Sequence, residues 1–354
     1  MATAGLHWDR RRGGRDRPRR LALWELPRCA GLSRIRARQR SRRGERIRRR
    51  YDGAVNREEA GDTEGREDAE QPGTAQAPQG RAGLHPHTEP PRLIAIDIDG
   101  TLLAPGNVLA PAVGGAVARA TASGATVALA SGRMFVSVAA WAGRLGLRGP
   151  LIAYNGAMVR THPDGQTWWH RPVPLAAARA AVAACRSAGW YVQVYLDDQL
   201  LVPWRDDRTD WYSENSGVPF TVDPERVYDL PAAPTKLLVI EPAERMPDIR
   251  AALSAATAPE LLVMATSFPH YLEVTAPDVN KGVALTALGQ RLGLPLTATM
   301  AIGDGNNDLS MLGAAGIRVA VANASPDLRK AADVVTGGKY GDGVAEAISR
   351  FYGS

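Results

Sequence analysis

Cysteine is nearly absent from this 354-residue sequence, which holds only Cys29 and Cys185. Two thiols cannot form a disulfide framework, and their scarcity suits a reducing cytoplasm more than a secreted scaffold. Long apolar runs are missing as well. No stretch reaches the roughly 18 residues needed to cross a bilayer. The run Leu21-Ala22-Leu23-Trp24 is broken by Glu25, Pro27 and Arg28 before it could serve as a signal-peptide core. These absences predict a soluble, cytoplasmic protein without a membrane anchor.

An even spread of charge is also lacking. Residues 1–90 carry 21 of the 43 basic residues, all arginine, against 13 of the 37 acids, a balance of +8. Residues 91–354 therefore sum to −2 within the overall +6. The basic character belongs to the leading segment, so no nucleic acid or membrane partner is expected for the remainder. That segment divides into an Arg-rich stretch ending near Arg50 and a Gly/Glu/Pro/Gln stretch from Tyr51 to Pro90, neither with sustained periodicity. Dense charge with little apolar content leaves too little burial to offset ordering entropy, so residues 1–90 read as a disordered Arg-rich extension. Two other readings stay open: an arginine arm for RNA or anionic lipid, and a true start nearer residue 90.

From Pro91 onward apolar runs of strand length alternate with Ala-rich stretches of helical length, the βα alternation of a parallel sheet. Four runs end alike. Leu93 to Ile96 leads into Asp97, Thr126 to Ala130 into Ser131, Leu151 to Tyr154 into Asn155, and Thr299 to Ile302 into Gly303-Asp304. Ligands of open α/β sheets sit beyond the carboxyl ends of the strands, so these polar residues are expected to converge on one site.

The first of these ends, Asp97-Ile98-Asp99-Gly100-Thr101-Leu102-Leu103, carries the most chemistry. A carboxylate with a reference pKa of about 3.9 needs no activating base at neutral pH. Asp97 could therefore attack phosphorus directly, and Asp99 could protonate the departing oxygen and later deprotonate water. Gly100 lets the chain turn close to a phosphate, and Thr101 offers a hydroxyl or amide donor. Taken alone, the same residues read as an Asp-Gly turn closing a strand.

Gly303-Asp304-Gly305-Asn306-Asn307-Asp308 precedes a helical-looking Leu309 to Ala315 and supplies hard oxygen ligands of the kind magnesium prefers. Two like charges about 4 Å apart cost on the order of 4 kcal/mol at an effective dielectric of 20. A carboxylate attacking an anionic phosphate thus calls for a cation between them. Alone, this loop also reads as a helix cap, and Asp308 suits both duties. Ser131, in Ala130-Ser131-Gly132-Arg133, suits a phosphoryl oxygen or a helix cap. Lys281, in Asn280-Lys281-Gly282, could stabilise the transferring phosphoryl, though a lone Lys at a helix start is more often a solvated surface residue.

Together and in this order, Asp-x-Asp-Gly-Thr-Leu-Leu, Ala-Ser-Gly-Arg, Asn-Lys-Gly and Gly-Asp-Gly-x-Asn-Asp resemble the four motifs of the haloacid dehalogenase superfamily, closest to its Cof-type branch with a class IIB cap. The resemblance covers nearly all of residues 91–354, including Val319 to Ala324, Ala331 to Thr336 and Asp342-Gly343-Val344. It implies a phosphatase with Asp97 as nucleophile, Asp99 as general acid/base, and Ser131 and Lys281 holding the phosphoryl group. It also implies magnesium (Mg2+) on Asp97, the Asp99 backbone carbonyl and Asp304, with Asn307 and Asp308 in support. Gly100, Thr101, Gly132, Arg133, Asn155 and Asn307 are the expected substrate-binding residues. Gly337 to Gly341 departs from the more polar stretch usual before Asp-Gly-Val, which bears on a loop rather than on chemistry.

The gap from Ser131 to Lys281 is far longer than that from Asp97 to Ser131, which places inserted material there. Within it Leu175 to Ala188 and Ala243 to Thr257 read as helices. Trp190 to Leu196 and Leu200 to Trp204 read as paired strands, and Lys236 to Glu241, Leu261 to Thr266 and Tyr271 to Thr275 as further strands. The expected architecture is a Rossmann-like parallel-sheet core, residues 91–171 and 276–354, with an α/β cap over 172–275 closing on the site. Trp190, Tyr191, Tyr195, Trp204, Trp211 and Tyr212 read as packing of the small cap, with Trp204, Arg205, Arg208 or Trp211 as alternative contacts to a leaving group. The expected partner is a small phosphorylated metabolite, a sugar phosphate, nucleotide or cofactor phosphate, and the expected state a monomer or homodimer. The rivals are a phosphomutase using the same aspartyl-phosphate and a nucleic-acid protein acting through the Arg arm.

Overall fold

The computed structural model describes residues 89–266 and 269–353. The extension expected over residues 1–90, and with it the arginine arm, falls outside the described residues apart from its last two. In chain order, β1 (Leu93–Asp97) leads through a hairpin, β2 (Leu103–Ala104) and β3 (Val108–Leu109), to α1 (Pro111–Ala122), β4 (Thr126–Ala130), α2 (Phe135–Arg144) and β5 (Gly149–Ala153). β6 (Met158–His162) and β7 (Thr167–His170) follow. A second unit of structure comprises α3 (Leu175–Ala188), β8 (Val192–Leu196), β9 (Gln199–Val202), α4 (Asp207–Ser216), β10 (Phe220–Val222), α5 (Pro224–Tyr228), β11 (Lys236–Ile240), α6 (Met246–Ala256), β12 (Val263–Ala265) and β13 (Tyr271–Thr275). The chain then runs through α7 (Lys281–Leu292), β14 (Thr299–Gly303), α8 (Leu309–Ala314), β15 (Ile317–Ala320), α9 (Pro326–Ala331), β16 (Val334–Val335) and α10 (Tyr340–Tyr352).

The core sheet has the order β16-β15-β14-β1-β4-β5-β6-β7, parallel from β16 to β5 and antiparallel in its last two pairings. All five residues of β1 are buried. An unbroken apolar run suits a strand covered on both faces. Ile94, Ile96 and Ile302 join α1 and α2 residues such as Val113, Val117 and Val138 in one cluster, while Leu93, Ala95 and Ala301 face Leu285, Leu288 and Leu312 of α7 and α8. Each fully buried Leu or Ile contributes about 1.5–3 kcal/mol.

The inserted cap carries the second sheet, ordered β10-β9-β8-β11-β13-β12. Alternation along β8 and β11 sorts its two faces. Val192, Val194, Leu237 and Val239 pack with Ala178, Val182, Ile249 and Leu253 of α3 and α6. On the opposite face Tyr191, Tyr195, Leu238 and Tyr271 merge with the cluster of the core. Tyr154, just past β5, donates its hydroxyl to Asp198 at 2.8 Å and meets the Tyr195 ring edge-on at 6.0 Å. The cap aromatics are thus packing residues: Tyr191 meets Trp204 and Tyr195 meets Tyr212.

Several boundaries differ from expectation. Pro247 occupies the first turn of α6, where its missing N–H costs nothing, so the helix expected from Ala243 begins at Met246 after a separate 3-10 turn, Ala243–Arg245. Tyr154 leaves the third core strand because it and Asn155 have φ of 53° and 54°. No helix among the described residues is long and apolar enough to cross a membrane.

Candidate active site

The carboxyl ends of β1, β4, β5 and β14 bring Asp97, Ser131, Asn155 and Asp304 to one edge of the core sheet. After Asp97 the chain turns tightly: the Leu102 amide donates to the Asp97 carbonyl at 3.1 Å and the Leu103 amide to Ile98 at 2.8 Å. Gly100 sits at the crest with φ +87°, a conformation L side chains rarely adopt. A Cβ there would lie 2.3 Å from Asp304 Oδ2. Its carbonyl accepts from Asn323 Nδ2 at 2.8 Å, and Thr101 donates its hydroxyl to Asp304 Oδ1 at 2.7 Å. Gly100→Ala is therefore expected to lower stability by about 1–3 kcal/mol through strain alone, and to displace the Asp304 carboxylate as well. Urea unfolding checks this, and an unchanged midpoint would contradict the close approach.

Asp97 is buried, and its Oδ1 accepts from Lys281 Nζ at 2.5 Å. The same ammonium donates to Asp308 Oδ1 at 2.7 Å. Lys281 is no surface residue: its side chain is fully buried at the first position of α7. Asp308 performs the second duty expected of it, since its Oδ2 accepts the backbone amides of Asp304 and Gly305, each at 3.1 Å. Carboxylate oxygens of Asp97, Asp304 and Asp308 all lie within 4.8 Å of one another. With all three ionised the cluster holds two more negative charges than Lys281 neutralises.

Burial, with Asp308 and Asp304 adding to it, pushes the Asp97 carboxyl up to about 8, while Lys281 pulls it down. Burial works to lower Lys281, but Asp97 and Asp308 outweigh it and hold the ammonium above its ordinary value. Burial likewise raises Asp304, joined by Asp308 and opposed by the Thr101 hydrogen bond. A cluster in which Asp97 and Asp304 resist ionisation is short of positive charge.

Asp99 stands outside that carboxylate cluster. Its side chain is 57% exposed and lies in the fork of Arg133, which donates Nε to Oδ2 at 2.8 Å and Nη2 to Oδ1. Arg133 Nη2 also donates to Asn107 Oδ1 at 2.7 Å, tying the hairpin to the same group. The carboxylate of Asp99 thus lies apart from the three acids, while the metal ligand expected of this residue is its backbone carbonyl; Arg133, expected to meet substrate, engages Asp99 and Asn107 in this structure.

Ser131 is buried and its Oγ accepts the Arg133 amide at 3.2 Å, so it caps the turn. Gly132 lies against Asn155: a Cβ there would be 2.9 Å from Asn155 Oδ1. Gly156, φ +100°, abuts the Asn280 carbonyl, where an added Cβ would come within 2.2 Å. That contact sets Asn155 beside Lys281, and both line a cavity of about 390 Å³ with Asn306, Asn307 and the cap strands β12 and β13. Asn307 is exposed at this rim rather than inside the carboxylate cluster.

Asn323 was not singled out from the sequence, yet it clamps the Gly100 turn and accepts the Tyr340 amide at 2.8 Å. Its place in Val321-Ala322-Asn323-Ala324, a polar residue in an apolar run after β15, was the available signal. Arg208 does not reach for a leaving group, because Asp206 and Glu241 engage it.

Two buried acids and a half-buried third around one fixed ammonium suit the handling of an anionic ester, and the α/β sheet with its inserted cap belongs to a known class of hydrolases. A model of the haloacid dehalogenase-like hydrolases matches residues 94–348. A phosphoglycolate phosphatase of Methanothermobacter thermautotrophicus is 31% identical over 263 residues, covering 74% of this chain and 99% of that protein. A 5-amino-6-(5-phospho-D-ribitylamino)uracil phosphatase of Bacillus subtilis is 28% identical over 267 residues, covering 74% and 98%. A crystal structure from Thermotoga maritima superposes with a TM-score of 0.68 at 30% identity, covering 73% of this chain and 97% of that one. The chain belongs to the haloacid dehalogenase-like hydrolases, in their Cof-type branch, and is a phosphatase.

Proposed function

We propose that the protein hydrolyses a small phosphate monoester, with magnesium as cofactor and an aspartyl-phosphate on Asp97 as intermediate. The observation that carries this reading is the buried Asp97 carboxylate fixed by Lys281 at 2.5 Å, with Asp304 and Asp308 beside it. The donor set fits magnesium: three hard carboxylates, an excess of negative charge and no His or Cys in the group. Asp97 and Asp304 would hold the cation, which when bound supplies positive charge between the carboxylate and the phosphate.

The chain's own residues supply the remaining steps. An Asp97 oxygen forms a bond to phosphorus as the ester P–O bond breaks, and Asp99, having left Arg133 and taken up a proton from solvent, passes that proton to the departing alkoxide. Water then attacks the phosphorus, Asp99 takes the water's proton, and phosphate leaves with the Asp97 carboxylate restored. Lys281 holds Asp97 in line and faces the phosphoryl charge. Asp99 reaches a leaving oxygen only when Arg133 lets go of it, and an incoming phosphate offers that guanidinium another partner. The named relatives act on phosphoglycolate and on a ribityl phosphate. A cavity of about 390 Å³ suits molecules of that size rather than a polymer.

Phosphate release from a panel of monoesters tests the reading. Excess chelator is expected to abolish turnover and added magnesium to restore it. Asp304→Ala should raise the magnesium concentration needed by tenfold or more, on the scale of about 1.4 kcal/mol per factor of ten, with a smaller effect on thermal unfolding. Full activity in excess chelator would refute the metal assignment.

A further inference from the structure

We infer that Glu273, seated on Lys236, selects the leaving group: it accepts phosphate monoesters of polyhydroxylated alcohols and turns away those whose leaving group carries a carboxylate. This rests on the phosphatase reading above and adds the class of alcohol to it.

The cavity beside Lys281 has two walls. Asn155, Asn307 and Lys281 come from the core, while Glu273 and Thr275 come from the cap strand β13. Glu273 lies opposite Leu238 of β11 and Ala265 of β12, in the middle of the cap sheet rather than at its edge. A carboxylate placed there, with its side chain only 14% exposed, is costly unless something answers its charge.

Lys236 answers it. The ammonium is buried, donates to Glu273 Oε2 at 3.3 Å and lies 4.8 Å from the centre of the Tyr195 ring. Burial works to lower Lys236, but Glu273 outweighs it and keeps the lysine charged. A purely structural ion pair would close on itself. Here only Glu273 lines the cavity, and Lys236 stands behind it. One bond from Lys236 leaves most of the acceptor sites of the carboxylate open toward the crevice.

The other groups on the walls agree with a neutral, donor-rich guest. Lys281 is the one cation lining the cavity among the described residues, and Asp97 and Asp308 already engage it. A carboxylate on the leaving group would meet Glu273 with no free cation to offset the repulsion, whereas hydroxyls can donate to Glu273. Lys236 acts here as a positioning residue, through Glu273.

The test compares kcat/KM for D-ribitol 5-phosphate with that for 2-phosphoglycolate, with an aryl phosphate to read phosphatase chemistry independently of leaving-group contacts. The wild type is expected to favour the polyol ester at least about tenfold, because a site built to bond hydroxyls discriminates by what it leaves unpaired. Glu273→Gln should lower that ratio by about tenfold or more. Lys236→Met should lower it too, and Lys236→Arg should restore part of it, which mere loss of packing would not produce. A wild type that prefers 2-phosphoglycolate overturns the inference without any variant, as does an unchanged ratio in Glu273→Gln. Absence of aryl phosphate turnover by the wild type would instead remove the phosphatase reading and the inference with it.

Discussion

Asp97→Asn is expected to cut turnover by on the order of 10⁵-fold or more, the scale of loss when a hydrolase is deprived of its nucleophile. An amide is a poor nucleophile, and its nitrogen cannot accept from Lys281 as the carboxylate does at 2.5 Å. Asp99→Asn should also be slow, through loss of acid/base help typically worth about 10²–10⁴-fold. The two variants should differ in kind. An aryl phosphate, whose leaving group needs little protonation, should recover part of the first step in Asp99→Asn and let a phosphorylated protein accumulate. It should rescue nothing in Asp97→Asn. Rapid quench with intact-mass detection and peptide mapping reads both results. Phosphate found on Ser131, or on no residue of an active enzyme, would overturn the mechanism.

Lys281→Met is expected to cost about 3–5 kcal/mol of stability, the usual scale for removing one partner of a buried ion pair. Lys281 donates to both Asp97 and Asp308 with no solvent contact, so its loss leaves two buried carboxylates facing each other. Magnesium should return part of that stability, because a cation at Asp97 and Asp304 would relieve the same repulsion. Thermal unfolding with and without magnesium checks this. A variant as stable as the wild type in chelator would show that the ammonium is not needed to hold the acids together.

Much of the fold was legible because the buried parallel strands are unbroken apolar runs, as in Leu93 to Ile96 and Thr299 to Ile302. β6 and β7 escaped notice for the opposite reason. Met158-Val159-Arg160-Thr161-His162 is half apolar, and β7 is largely exposed at the sheet edge. α4 carries little apolar pattern, although its capping box at Asp206 and Thr209 was a readable start signal.

In the site, residue types and spacing pointed to Asp97, Asp304, Asp308 and Lys281, and the structure brings these four together. Side-chain direction was not readable. Asp99 lies two residues from Asp97, yet its carboxylate turns to Arg133, and only the position of the loop after β4 makes that contact possible. The Lys236 and Glu273 pair depends on the register of β11 against β13, which no local pattern encodes.

β1 lies between one neighbour made soon after it and another made only after the whole cap: Leu93 pairs with Thr126 on one side and with Thr299 on the other. During synthesis the strand ending in Asp97 would keep one edge bare until β14 is made, after all the cap strands. A chain terminated before β14 would leave that apolar edge open to other chains and lack Asp304 and Asp308. β14, made only after the cap, therefore closes the sheet and brings Asp304 and Asp308 beside Asp97 in the same event, so chains stopped before it would lack the acidic cluster as well as being prone to aggregate.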